Sequence, residues 1–307
     1  MSNTRRTFLQ SATTALAAAT AASAQAPAQP LANKALSPSP IQVPKMKFGK
    51  VEIGRLLSGC NSFYGYAHFN QILGTVMKEY YTTERVCDVL HRCNMYGING
   101  FNYFPAPRAQ SDLEQFQAQG GKMHLVCQGL DDPDPMLKAI KPLAVYYHGE
   151  RTDRAFQEGR MDDVRDWCKK VRQTGTMVGV GTHKPEVIAL VEEQGWDVDF
   201  FAGCVYNRTR TKEEWKQALN GELVEMQGEC YLQNDPARMY KVMRATRKPC
   251  FAFKIMAAGR ITNAEQAFRT AFESIKPNDG VFIGLFPRVK DEVRENAERV
   301  RRILHKA

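Results

Sequence analysis

From residue 55 onward, short apolar runs alternate with segments whose apolar residues recur every three or four positions. The runs at 55–61, 97–104, 122–128, 143–148, 176–183, 198–206 and 280–284 read as strands, as does the run starting at Cys250, where residues alternate in side-chain size. The segments 83–96, 111–119, 133–140, 161–174, 185–194, 235–246, 263–275 and 289–305 carry the helical spacing. In 83–96, for example, Val86, Val89, Leu90 and Cys93 fall on one face behind a capping Thr83. Residues 62–81 read as a long loop, and 207–233 as an excursion with a short helix near 213–218. Eight strand–helix repeats predict an α/β (β/α)8 TIM barrel, with nearly continuous apolar strands suited to a parallel sheet covered on both faces. A doubly wound open sheet competes, but Gly59-Cys-Asn-Ser-Phe-Tyr-Gly-Tyr66 after the first strand lacks the glycine fingerprint of that class.

The chain ahead of the barrel has another character. Arg5 and Arg6 are followed by Phe8 and Leu9 and then by a weakly apolar, alanine-rich run ending near Ala22-Ser-Ala24 and Ala24-Gln-Ala26. This resembles a twin-arginine (Tat) signal peptide over residues 1–26, which implies the Tat translocase as a transient partner and a periplasmic or otherwise exported location. The run is too short and polar for a stable membrane span. Residues 27–46 are rich in Pro, Ala and Ser and read as a linker, leaving 47–307 as one barrel domain.

The formal charge is +9, yet the basic residues are interspersed with acids on helix faces and form no aromatic-interleaved stripe, so no nucleic-acid partner is expected. None of the eight cysteines forms a CxxC pair, and Cys60, Cys127, Cys204 and Cys250 sit in apolar strand runs as small hydrophobes. Thiols that stay reduced suit a protein that folds before export.

A barrel does its chemistry at the carboxyl ends of its strands. Those ends read Asn61, Asn102, Gln128, His148, His183, Tyr206-Asn207, Lys254 and Gly284, polar or ionisable at all but the last. Lys254 closes the small-residue side (Cys250, Ala252) of the seventh strand, above an Ala-Ala-Gly259-Arg260 turn. A cation there suits an anionic ligand or, if desolvated, proton or carbonyl chemistry.

In order along the chain, Gly97-Ile-Asn-Gly-Phe-Asn102, Val145-Tyr-Tyr-His148, Val178-Gly-Val-Gly-Thr-His183 and Tyr206-Asn207 resemble the strand motifs of the aldo-keto reductases. Glu295-Asn296 is similar to the family's adenine-side pair. The resemblance implies NADP as cofactor, held by Tyr206, Asn207, Gly259, Arg260, Gly284, Arg288, Lys290, Glu295 and Asn296. Three members of the family's Asp/Tyr/Lys/His catalytic set are replaced, by Asn102, Pro107 and Gln128, and only His148 remains; Glu292 takes the place of an arginine that grips the 2′-phosphate. The reading is an exported oxidoreductase acting on a sugar or small carbonyl compound, with His148, Lys254, His183 and Asn102 at its centre and a proton donor other than tyrosine. Two alternatives stay open. One is a non-redox barrel enzyme, using either a divalent metal on His148, Glu150 and His183 or a Schiff base on Lys254. The other is a catalytically inactive binding barrel.

Overall fold

The alternating runs fold as eight parallel strands closed into a ring. A computed structural model describes residues 34–221 and 228–305; the expected signal segment, and the expected linker up to residue 33, lie outside the described residues. The barrel strands are β3 (Leu56–Gly59), β4 (Gly100–Tyr103), β5 (His124–Gly129), β6 (Ala144–Tyr147), β7 (Met177–Thr182), β8 (Phe200–Cys204), β9 (Cys250–Phe253) and β10 (Gly280–Gly284). They pair in chain order, and β10 closes on β3 with Val281 opposite Leu56 and Gly284 opposite Gly59. Around them run α1 (Gln71–Tyr80), α2 (Thr83–Met95), α3 (Ala109–Ala118), α4 (Asp134–Ile140), α5 (Gly149–Gln157), α6 (Met161–Arg172), α7 (Pro185–Glu193), α8 (Lys212–Ala218), α9 (Asp235–Ala245), α10 (Ala264–Ser274) and α11 (Glu292–Leu304). The barrel predicted from the sequence is the fold observed.

A hairpin absent from the sequence reading, β1 (Lys45–Phe48) with β2 (Val51–Gly54), precedes the first barrel strand. Its Met46, Phe48 and Ile53 are buried in one cluster with the inward residues Leu57, Val126, Phe200, Phe251 and Phe282. Phe48 meets the edges of Phe200 and Phe251 at ring-centroid distances of 5.2 and 5.1 Å. The hairpin therefore fills the barrel from one end, and the polar chemistry is left to the other. Just before it, Lys34, Ser39 and Val43 donate backbone hydrogen bonds to the carbonyls of Gln119, Met95 and Tyr96, so residues 34–43 lie along the outer helices.

Four local expectations are corrected. The 62–81 loop contains α1, whose mixed sequence hides its helical period. Gly74 lets this helix approach closely, since a Cβ there would stand 2.6 Å from the Gly65 carbonyl oxygen. The segment after the fourth strand, which was given no element ahead of the helix at 161–174, is α5; its buried face is Gly149, Thr152, Asp153 and Ala155, too polar to give an apolar stripe. In β9 the inward residues are Phe251 and Phe253, while Cys250 and Ala252 pack outward against the helices. The small-residue face assigned to Lys254 thus points away from the barrel. Thr82, one residue before the expected Thr83, caps α2 by accepting from the Arg85 amide.

Candidate active site at the barrel mouth

Inside the upper barrel, Asn102 and Gln128 point inward from neighbouring strands. The Gln128 amide donates to Asn102 Oδ1 at 2.9 Å, and Asn102 Nδ2 donates to the Tyr146 hydroxyl at 2.8 Å. Where the reductase resemblance expects a carboxylate and a lysine, this chain holds a neutral amide pair. Both ends of Asn102 are engaged and the residue is buried, which makes it a positioning group. Burial pushes the Tyr146 hydroxyl well above the ordinary tyrosine range.

His183, just past β7, is fixed by Asp153 from α5. Its Nδ1 lies 2.7 Å from Asp153 Oδ2, and its backbone amide donates to both carboxylate oxygens at 3.2 and 3.1 Å. The carboxylate also accepts from the hydroxyls of Thr182 (2.5 Å) and Thr209 (2.9 Å). His183 Nε2 faces Arg208 Nη1 at 3.3 Å; a guanidinium only donates, so Nε2 accepts and Nδ1 carries the hydrogen. His148, at the end of β6, has Nδ1 buried without a partner. Burial lowers its pKa below the ordinary histidine value, against the opposing pull of Glu150.

Lys254 follows β9 with φ of +60°, a left-handed backbone that ends the strand and turns the side chain into the mouth. Its ammonium lies 5.9 Å from the centre of the Phe253 ring. Among the described residues it has no carboxylate within ion-pair distance and no hydrogen-bond partner. Burial brings its pKa down to about 8; the charge of Arg208 pushes the same way, and Glu229 and Glu150 oppose it from a distance. Part of the residue's surface still meets solvent. Cys204, whose thiol burial raises to about 11, stays neutral at physiological pH and so leaves the lysine uncompensated.

A second cluster centres on Arg208 and Glu229, neither of which was assigned a role from sequence. Arg208 pairs with Glu229, reaches Glu150 at 3.2 Å, and lies almost wholly buried. Glu229 also receives His68 Nδ1 at 2.7 Å and the Tyr231 hydroxyl at 2.5 Å, and Asn61 Nδ2 lies 3.3 Å from His68 Nε2. Burial alone would raise the Glu229 carboxyl, but these hydrogen bonds and the Arg208 charge outweigh it and hold the group at about 2. Burial also lowers the His68 pKa, which keeps the ring a neutral Nδ1 donor. The chain reaches this arrangement through firm anchors. Thr211 and Glu214 form a capping box, Glu214 binds the fully buried Lys184 at 2.6 Å, and Arg210 pairs with Asp235. The only hint in the sequence was that Arg208 directly follows Tyr206-Asn207; Glu229 lies in an excursion without period.

The residues expected to hold NADP do not form a complete cradle. Tyr206 is buried, with the Tyr231 ring 5.0 Å away over it. The Asn207 amide donates to Asp235, and its Oδ1 accepts from Thr209. Arg260 stacks on Tyr231 at 4.4 Å and donates to the carbonyls of His68 and Glu229. Lys290 pairs with Glu295, and Asn296 accepts from Arg299. Gly259, Gly284 and Arg288 are exposed, so the phosphate end is open while the space over Tyr206 is filled by the chain itself. The alternative metal set also fails to converge: Asp153 takes His183 Nδ1, Glu150 faces Arg208, and no three His, Cys, Asp or Glu side chains among the described residues are arranged to hold an ion.

No protein-family model matches the chain, and no curated protein matches its sequence. Among solved structures, it is similar to a thermostable aldo-keto reductase crystallised with the inhibitor epalrestat, at 12% identity and a TM-score of 0.35, over 84% of this chain and 94% of that one. It is also similar to a nitroalkane oxidase from Streptomyces ansochromogenes, at 15% identity and a TM-score of 0.30, over 64% of this chain and 54% of that one. Likeness at this level assigns neither activity nor cofactor.

Proposed function

We propose that this barrel is a carbonyl-processing enzyme in which Lys254 is the reacting group. The observation that carries the reading is a lysine at the carboxyl end of a barrel strand, without an ion-pair partner among the described residues, lowered in pKa by burial and within electrostatic reach of His68. With a pKa near 8, roughly a tenth of Lys254 is free amine at pH 7, against well under a thousandth for an ordinary lysine. The amine adds to a substrate carbonyl carbon, and the nitrogen loses a proton to give a neutral carbinolamine. Proton uptake on the former carbonyl oxygen releases it as water and leaves a protonated imine. The imine withdraws electrons from the adjacent carbon, which permits isomerisation or carbon–carbon cleavage. His148, with Nδ1 unpartnered, is the group suited to carry these protons, and Asp153 holds His183, at the end of the neighbouring strand, in one tautomer.

The test is borohydride reduction in the presence of glyceraldehyde, dihydroxyacetone or pyruvate, followed by intact-mass and peptide analysis. A stable adduct on Lys254, lost in Lys254→Met, is expected. No adduct with any of the three, or one on another lysine, overturns the reading. A second reading is an oxidoreductase using NADP on a sugar or small carbonyl compound. It is supported by the exposed Gly259, Gly284 and Arg288 at the ends of β9 and β10, and equilibrium dialysis with NADPH tests it. Export is supported by the Arg5-Arg6 pattern; retention of an Arg5→Lys/Arg6→Lys variant in the cytoplasm tests it.

A further inference from the structure

The Glu229 carboxylate is bound as a ligand would be. One oxygen receives His68 Nδ1 at 2.7 Å and the Arg208 guanidinium; the other receives the Tyr231 hydroxyl at 2.5 Å. The two strongest donors come from the ends of barrel strands, His68 from the loop after β3 and Arg208 from the residues just past β8. Glu229 comes instead from the long excursion between α8 and α9 and adds nothing to the barrel wall. Arg208 is held in place without it, by Glu150 at 3.2 Å and His183 at 3.3 Å, and its buried Nε has no partner. His68 is oriented independently by Asn61. The receptor is therefore prebuilt on the barrel, and the carboxylate in it is the replaceable part. Lys254 lies within electrostatic reach of the same carboxylate.

We infer that Arg208 and His68 form a carboxylate subsite for substrate, that Glu229 occupies it in the ligand-free protein, and that the substrate is a carbonyl compound bearing its own carboxylate, an oxo acid. The inference rests on the proposed carbonyl chemistry at Lys254 and names the class of its substrate. The substrate carboxylate displaces Glu229 and takes its donors on Arg208 and His68, and the carbonyl group then lies towards the Lys254 amine. A neutral carbonyl compound leaves Glu229 in place and has no such anchor. Because the chain supplies an internal competitor at high effective concentration, added carboxylates bind weakly until Glu229 is removed.

The experiment uses acetate as probe in a Lys254→Met background, where no imine can form, so its outcome is independent of the chemistry at the lysine. Acetate binding is measured by calorimetry and by the ligand-induced rise in melting temperature. Adding Glu229→Ala is expected to tighten acetate binding at least tenfold, and adding Arg208→Met to that variant is expected to abolish the gain. Glu229→Gln, which keeps the shape of the side chain but removes its charge, gives a smaller gain and serves if the alanine variant does not fold. Unchanged acetate affinity in both Glu229 variants overturns the inference, as does a gain that survives Arg208→Met. Pyruvate tightened in parallel with acetate, with acetone unaffected, completes the expected result; equal tightening of acetone overturns it.

Discussion

Replacing Lys254 with methionine is expected to stabilise the fold while removing its chemistry. The folded-state pKa of about 8 lies below the ordinary lysine value of 10.5, a difference worth about 3 kcal/mol at roughly 1.4 kcal/mol per pH unit. Since part of the residue meets solvent, the recoverable share is about 1–3 kcal/mol, or roughly 2–10 °C in melting temperature for a barrel of this size. The sign follows from proton binding. Between pH 8 and 10.5 the unfolded chain holds the lysine proton and the folded chain has released it, so the stability of the native sequence rises with pH across that window. Below pH 8 both states are protonated and the cost of the buried charge is present in full. Urea titrations of both proteins at pH 7, 9 and 10.5 provide the assay, with the difference between them cancelling the titration of tyrosines and cysteines. The methionine variant should be more stable at pH 7, with the gap shrinking to nothing by pH 10.5. A variant less stable than the native protein at pH 7 would mean that Lys254 is a compensated structural cation, and a gap independent of pH would mean that packing, not charge, sets the difference.

The same pKa predicts that borohydride trapping at saturating carbonyl probe accelerates about tenfold per pH unit up to about pH 8 and then levels, whereas an ordinary lysine would keep accelerating to about pH 10; initial adduct rates by mass spectrometry check it. Asp153→Asn places an amide donor against two hydroxyls, a backbone amide and His183 Nδ1, and should cost about 2–4 kcal/mol in urea unfolding, with trapping on Lys254 retained if His183 is only a positioning group. Phe48→Ala removes the ring wedged between Phe200 and Phe251 at the closed end and should cost about 3–5 kcal/mol while leaving the pH profile of trapping unchanged; a shifted profile would show that the two ends of the barrel are coupled.

How far the sequence could be read depended on where each residue's partners lie. The barrel was legible because parallel strands and their covering helices write their burial locally, as at β7 with Val178 and Val180 outward and the Val187–Val191 face of α7 beyond. Strand ends were legible too, which is why Asn102, Gln128, His148, His183 and Lys254 were found together. What stayed hidden was long-range or polar. The hairpin's Phe48 finds its partners at Phe200 and Phe251, more than 150 residues away, and its strands are four residues long. Helix α5 buries Asp153 and Thr152 where a pattern reader looks for leucine. The His68–Glu229 contact spans 161 residues and rests on a single hydrogen bond with no periodic signal around either partner.

The charges at the mouth explain why an uncompensated lysine can persist there. Arg208, Lys254 and Arg260 converge on one rim, and barrel strands supply no carboxylate to meet them. Glu150 arrives on α5 and Glu229 on the excursion after β8, and both are drawn to Arg208, the most deeply held cation with the most donors. A guanidinium that offers one Nη to each acid meets two carboxylates at once, which a single ammonium at a crowded site does less readily. Arg208 thus keeps both acids away from Lys254 and adds its own repulsion to burial in lowering the lysine pKa. In Arg208→Met, therefore, Lys254 should gain Glu229 or Glu150 as a direct partner and lose a repelling charge. Its pKa should climb towards 10, and the plateau of the trapping profile should move up by one to two pH units. An unmoved plateau would leave burial alone as the cause and remove Arg208 from the account of how this lysine is activated.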